Sequence, residues 1–147
     1  MAFPILSGMA TLARSIVSQQ AALELIVIHT NISDTLHALK TAAHLAQDLS
    51  ARIRLLVLEI VPYPLPLHQP DVSLPHTRRR FRTLAENATI ETTVDIHLVR
   101  DPQKALDSIL EPHSVIVMRA KRSWWPTAHG RVAKRLERAG HQVVYAS

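Results

Sequence analysis

Glu24-Leu-Ile-Val-Ile-His-Thr30 is an apolar, β-branched run with no helical spacing. A strand buried on both faces reads this way, and such strands belong to parallel sheets covered by helices. Asn31 to Ser33 supply turn chemistry, and Ser33 or Asp34 is the expected cap of the following helix. In that helix Leu36, Leu39, Ala43, Ala46 and Leu49 fall along one side, whereas Lys40, Gln47 and Asp48 face the other. The pattern is amphipathic.

The same alternation continues outward from this unit. A second strand is expected from about Arg52 to Ile60, followed by Val61-Pro-Tyr-Pro-Leu-Pro66 and further prolines at 70 and 75. Proline at this density is excluded from central strands and helix interiors, so the stretch is a long loop. A polar helix follows over about 74–88. Thr92 to Val99 reads as a third strand, with Val94, Ile96 and Leu98 alternating against Asp95 and His97. Asp101-Pro102 is a helix start, a capping carboxylate before proline at the first helical position. That helix is expected to reach about Glu111. Ser114-Val-Ile-Val-Met118 is another buried strand. A helix over about 127–139 should end at Gly140, and His141 to Tyr145 form the last strand. Strands alternating with helices require crossovers, so the fold class is α/β with a parallel sheet in a three-layer α/β/α arrangement.

Composition narrows the chemistry. The chain has 147 residues, 47% hydrophobic and 20% charged, enough for one domain with a sizeable core. There is no cysteine, which excludes disulfides, thiolate zinc sites and cysteine nucleophiles, and fits a cytoplasmic location. No apolar run is long enough to span a bilayer. The uncharged opening from Met1 to Ala13 lacks the basic region of a signal peptide, its first charge being Arg14. Residues 1–21 are read as an N-terminal extension, expected to be a short helix packing on the domain, with a weak interfacial anchor as the alternative. Residues 22–147 form the domain.

Phosphate-binding and nucleophile motifs are missing. Neither Gly-x-x-x-x-Gly-Lys-Ser/Thr, Gly-x-Gly-x-x-Gly nor Gly-x-Ser-x-Gly occurs, and the three glycines are Gly8, Gly130 and Gly140. Nine histidines raise a metal hypothesis, but His37 and His44 are seven residues apart, two helical turns, and Asp34 with His37 lacks a third partner in sequence. No metal, cofactor or catalytic set is expected.

Several passages resemble the universal stress protein family. Leu25-Ile-Val-Ile-His-Thr-Asn31, then Leu36-His-Ala-Leu39 and Ala42-Ala-His-Leu-Ala46, are similar to its opening strand and Ala/Leu-rich helix. Arg100-Asp-Pro-Gln-Lys-Ala-Leu106 looks like its Gly-Asp-Pro-x-x-Ala-Ile/Leu. Ser114-Val-Ile-Val-Met118 stands where the family has Asp-Leu-Ile-Val-Met, and Gly130-Arg-Val-Ala133 where it has Gly-Ser-Val-Ala. The resemblance implies a five-stranded parallel sheet in order 3-2-1-4-5 and a homodimer through the C-terminal strand. It also implies an ATP site with an Asp ending strand one and a Gly-x2-Gly-x9-Gly-Ser/Thr loop after strand four. This sequence departs at those positions. Thr30 replaces the Asp, Arg119 and Arg122 replace the first two glycines, Trp124, Trp125 and Pro126 lie inside the loop, and Arg131 replaces the Ser/Thr. Gly130 alone survives. Arginine closes the positive-φ backbone region to the chain and fills the space where phosphate would lie, so family-type ATP binding is not expected.

Charge is clustered at the same place. Arg119, Lys121, Arg122, Arg131, Lys134, Arg135 and Arg138 are seven of the 17 Lys and Arg residues, against one acid, Glu137, in that span. A second group is Arg78, Arg79, Arg80 and Arg82. The resemblance implies a non-catalytic regulatory or stress-response module of the universal-stress-protein type, acting by dimerisation or partner docking. The alternative is a binding domain for a small phosphate-bearing anion or a nucleic-acid backbone. Its crevice would be lined by Thr30, Asn31, Arg119, Lys121, Arg122, Gly130 and Arg131.

Overall fold

In the computed structural model, residues 23–61, 74–86, 90–120 and 128–146 are described. The N-terminal extension, most of the proline-rich loop, Lys121, Arg122 and the two tryptophans lie outside them. Among the described residues five strands alternate with four helices: β1 Glu24–Ile28, α1 Ile32–Leu49, β2 Arg52–Ile60, α2 Leu74–Glu86, β3 Thr92–Val99, α3 Pro102–Ile109, β4 Val115–Met118, α4 Ala128–Arg138 and β5 Gln142–Tyr145. All pairings are parallel, in the order β3-β2-β1-β4-β5.

Parity along the strands separates two apolar layers. Leu25 and Val27 of β1, with Ile53, Leu55 and Val57 of β2 and Val117 of β4, pack against α1 and α2. Ile26, Ile28, Leu56, Ile116 and Met118 point the other way, onto Leu106 and Leu110 at α3 and Ala133 and Leu136 of α4. The central strands are therefore covered on both sides, which is why they read as unbroken apolar runs. Farther out, β3 and part of β2 carry charge on the α3/α4 face. There Arg54 lies 3.1 Å from Glu24 and 3.5 Å from Asp95, and His97 lies 3.0 Å from Asp95.

The element boundaries correct several expectations. Helix α1 is capped by Asn31, not by Ser33 or Asp34; its side chain accepts the Asp34 amide. Strand β1 ends at Ile28, so Thr30 belongs to the loop. The buried stripe of α1 is Thr35, Ala38, Leu39, Ala42, Ala43 and Ala46, whereas Leu36 and Leu49 are exposed. Four alanines in that stripe let the helix axis lie close to the sheet, and the bulkier leucines sit outside the contact. Helix α3 stops at Ile109, short of Glu111.

Two local signals agree with the structure. Asp101 caps α3, accepting from the Gln103 and Lys104 amides, with Pro102 behind it. Helix α4 ends at Arg138, and the chain reverses at Gly140, whose φ is +96°. The Gly140 amide donates to Glu137 and the His141 amide to Leu136, so the reversed turn satisfies two terminal carbonyls.

Candidate functional site

Strand order brings two loops apart at one place. After β1 the chain turns to α1 on one face of the sheet; after β4 it continues toward α4 on the other. Because β1 and β4 are neighbours, their C-terminal ends form the crevice in which parallel α/β sheets bind ligands. Thr30 and Asn31 stand on one side and Arg119 on the other.

The crevice contains its own carboxylate. Asn31 holds an extended conformation; its side-chain oxygen accepts from the Asp34 amide at 2.8 Å, and its Nδ2 donates to Asp34 Oδ2 at 2.7 Å. The other carboxylate oxygen, Asp34 Oδ1, lies 3.5 Å from Arg119 Nη1, with both side chains about a quarter exposed. An acidic group in the first turn is favoured by the unpaired amides at the helix start. Asp34 thus answers two positive features at once, the helix terminus and the guanidinium across the crevice.

Thr35 and His29 form a less polar layer beside it. Thr35, only 1% exposed, places its Oγ1 2.9 Å from His29 Nδ1 and accepts from the Thr30 amide at 3.3 Å. The His29 ring meets Phe81 of α2 edge to face, centroids 4.7 Å apart, and the Arg80 guanidinium carbon sits 5.9 Å from the Phe81 centroid. Burial, then the Arg80 charge, lowers the His29 pKa from its ordinary value of 6.5.

This shift fixes a pH dependence. The folded state holds His29 neutral, so the unfolded chain binds more protons as pH falls below 6.5. The contribution to stability is complete above that value and is lost as pH drops through it toward the depressed folded value. Thermal unfolding followed between pH 7 and pH 5 should show a smaller decline for His29→Gln than for the unaltered chain. Equal slopes would refute this account.

Of the expected site residues, Thr30, Asn31 and Arg119 meet around Asp34 and Thr35. Gly130 and Arg131 occupy the first turn of α4, where Arg131 is exposed and forms no ion pair among the described residues. The outward basic face of α4 is as expected, with Ala133 and Leu136 buried. Arg135, however, is tied to α3, 2.9 Å from Asp107 and 2.7 Å from Gln103 Oε1. Sequence reasoning missed His29, Asp34, Thr35 and Phe81 as parts of the crevice. The spacing of Asn31 and Asp34, a capping residue and an acid one turn on, was the available signal for one of them. Among the described residues no group of three or more His, Asp or Glu could hold a metal ion.

Two solved structures resemble this one over most of their length. A universal stress protein in complex with cAMP matches with a TM-score of 0.56 at 12% identity, over 86% of this chain and 99% of that one. A universal stress protein family member from Burkholderia pseudomallei matches with a TM-score of 0.50 at 19% identity, over 84% and 96% respectively. No family profile and no curated protein sequence matches the chain. The chain therefore has the universal stress protein fold, established by architecture where sequence similarity is slight. No described helix is long and apolar enough to cross a membrane.

Proposed function

We propose that this chain is a non-catalytic regulatory module of the universal-stress-protein type that does not bind ATP and acts through dimerisation or partner docking. The observation that carries this reading is the Asp34 carboxylate beside Arg119 at the crevice mouth. A triphosphate there would meet a fixed negative charge, and the sequence supplies no glycine loop to wrap it from the other side. The C-terminal strand β5 is the dimer edge that the family resemblance suggests, and a cytoplasmic setting accords with the absence of cysteine.

A second reading is supported by the cAMP in the first of the two similar structures. In it, a small phosphate-bearing ligand displaces Asp34 and is held by Thr30, Asn31, Arg119, Lys121, Arg122, Gly130 and Arg131. A thermal-shift titration with ATP, AMP, cAMP and inorganic phosphate separates the two. The regulatory module is expected to show no shift, whereas a ligand at about 100 times its Kd would stabilise by about 2.7 kcal/mol, several degrees for a chain of this size. A shift abolished by Arg119→Ala with Arg122→Ala would establish the second reading and remove the first.

A further inference from the structure

The sheet has two edges of unequal length. Strand β5 offers four residues, Gln142–Tyr145, while β3 offers eight, Thr92–Val99. Half the backbone donors and acceptors of an edge strand face away from its neighbour, a ready template for another strand. Native edges are commonly shortened, bulged or interrupted by proline. In β3 all eight residues pair in unbroken parallel register with β2, and none is proline.

Two surface cavities lie beside this edge and share Arg82 and Val94. One, of about 520 Å³, is lined by α2 and the start of β3, including Glu86, Glu91 and Thr93. The other, of about 210 Å³, is lined by Arg78, Arg82, Val94, Asp95 and Ile96. Arg78 and Arg82 are four residues apart and so share a helix face, and neither forms an ion pair among the described residues. Helix α2 carries four arginines and one acid. Asp95, the acid nearest the arginine pair on β3, is engaged by Arg54 and His97. Arg78 and Arg82 thus flank the middle of the β3 edge without an ion pair among the described residues, although Glu86 and Glu91 line the larger cavity with Arg82 and Asp95 the smaller with both.

We propose that β3 and α2 form a docking groove for an extended acidic peptide segment of a protein partner, which adds to β3 as a sixth strand and pairs its carboxylates with Arg78 and Arg82. The inference rests on the docking-module reading and gives that module a partner chemistry. Strand parity sets the pattern. Val94 and Ile96 share the α2 face with the arginines, whereas Thr93, Asp95 and His97 lie on the other. A fitting segment alternates acidic residues toward α2 with small polar or β-branched residues behind. A second copy of this chain fits less well, because pairing two β3 edges would bring two arginine-rich α2 helices together. The chain's own outlying segments also lack the charge: residues 1–22 hold no acid, and residues 62–73 hold only Asp71.

The test uses the full chain and a fluorescein-labelled octapeptide alternating Glu and Thr. Saturable binding by fluorescence anisotropy is expected, with amide-exchange protection gained over residues 92–99. Binding should fall at least about tenfold for Arg78→Glu with Arg82→Glu, for a Lys-for-Glu peptide, and for the Glu-Thr peptide N-methylated at alternate amides. Equal binding of the N-methylated peptide would overturn strand addition. So would protection of 92–99 in the peptide-free chain by a dimer seen in sedimentation, which would assign the edge to a second copy. An absent peptide signal overturns the proposal whatever the nucleotide titration gives. A nucleotide response removes the regulatory reading without changing the peptide result.

Discussion

Leu55→Ala is expected to destabilise the fold by about 3 kcal/mol, lowering the midpoint of thermal unfolding by roughly 10 °C. Leu55 is fully buried on β2, its register partners being Val27 of β1 and Val94 of β3. Its side chain belongs to the layer beneath α1 and α2, so truncation leaves a cavity that strands on both sides keep from collapsing. Leu49→Ala should change stability by no more than about 0.5 kcal/mol, because that leucine is 53% exposed at the end of α1. Denaturant melts of the two variants make the comparison, with the midpoint moving and the slope unchanged. Similar losses in both would mean that Leu49 lies on the packed side of α1, as the sequence pattern has it, and not outside the contact.

That comparison shows why some features were legible from sequence and others were not. Strand β1 was legible because burial on both faces removes every polar residue between Leu25 and Ile28. The start of α3 and the end of α4 were legible because Asp101-Pro102 and Gly140 each answer a local backbone demand without tertiary help. On helix α1 Leu39, Ala43 and Ala46 are buried as the sequence pattern has them, but Leu36 and Leu49 are not, because a 3.6-residue period admits neighbouring stripes. The sheet selected the one with small residues, a choice that depends on how closely the helix packs. Its cap was misread because Asn31, Ser33 and Asp34 all have capping chemistry, and only the end of β1 at Ile28 decides among them. The contacts at the β1/β4 crevice were only partly legible. Thr30, Asn31 and Arg119 follow from the strand order that the family resemblance implies. The Asp34–Arg119 contact joins residues far apart in the chain and depends on side-chain reach. Phe81 reaches His29 only after a proline-rich loop whose path no local rule specifies.

Thr35→Val probes the same crevice through one atom. Valine keeps the branched shape, so the 1%-exposed site stays filled, but the hydroxyl that meets His29 Nδ1 and the Thr30 amide is gone. Both groups would lose that partner in a half-buried setting, which should cost about 2 kcal/mol, roughly 6 °C in the unfolding midpoint. Thr35→Ser keeps the hydroxyl and loses only a methyl, so it should cost about 1 kcal/mol. Coupling to His29 is the sharper readout. In a cycle with His29→Gln the two losses should fall short of additivity by at least about 0.5 kcal/mol, since each variant removes the same contact. Strict additivity, or a valine variant as stable as the serine one, would mean the hydroxyl does not hold the β1 loop. The fixed positions of Thr30 and Asn31 at the crevice would then need another cause, with the Asn31–Asp34 cap the remaining anchor on that side.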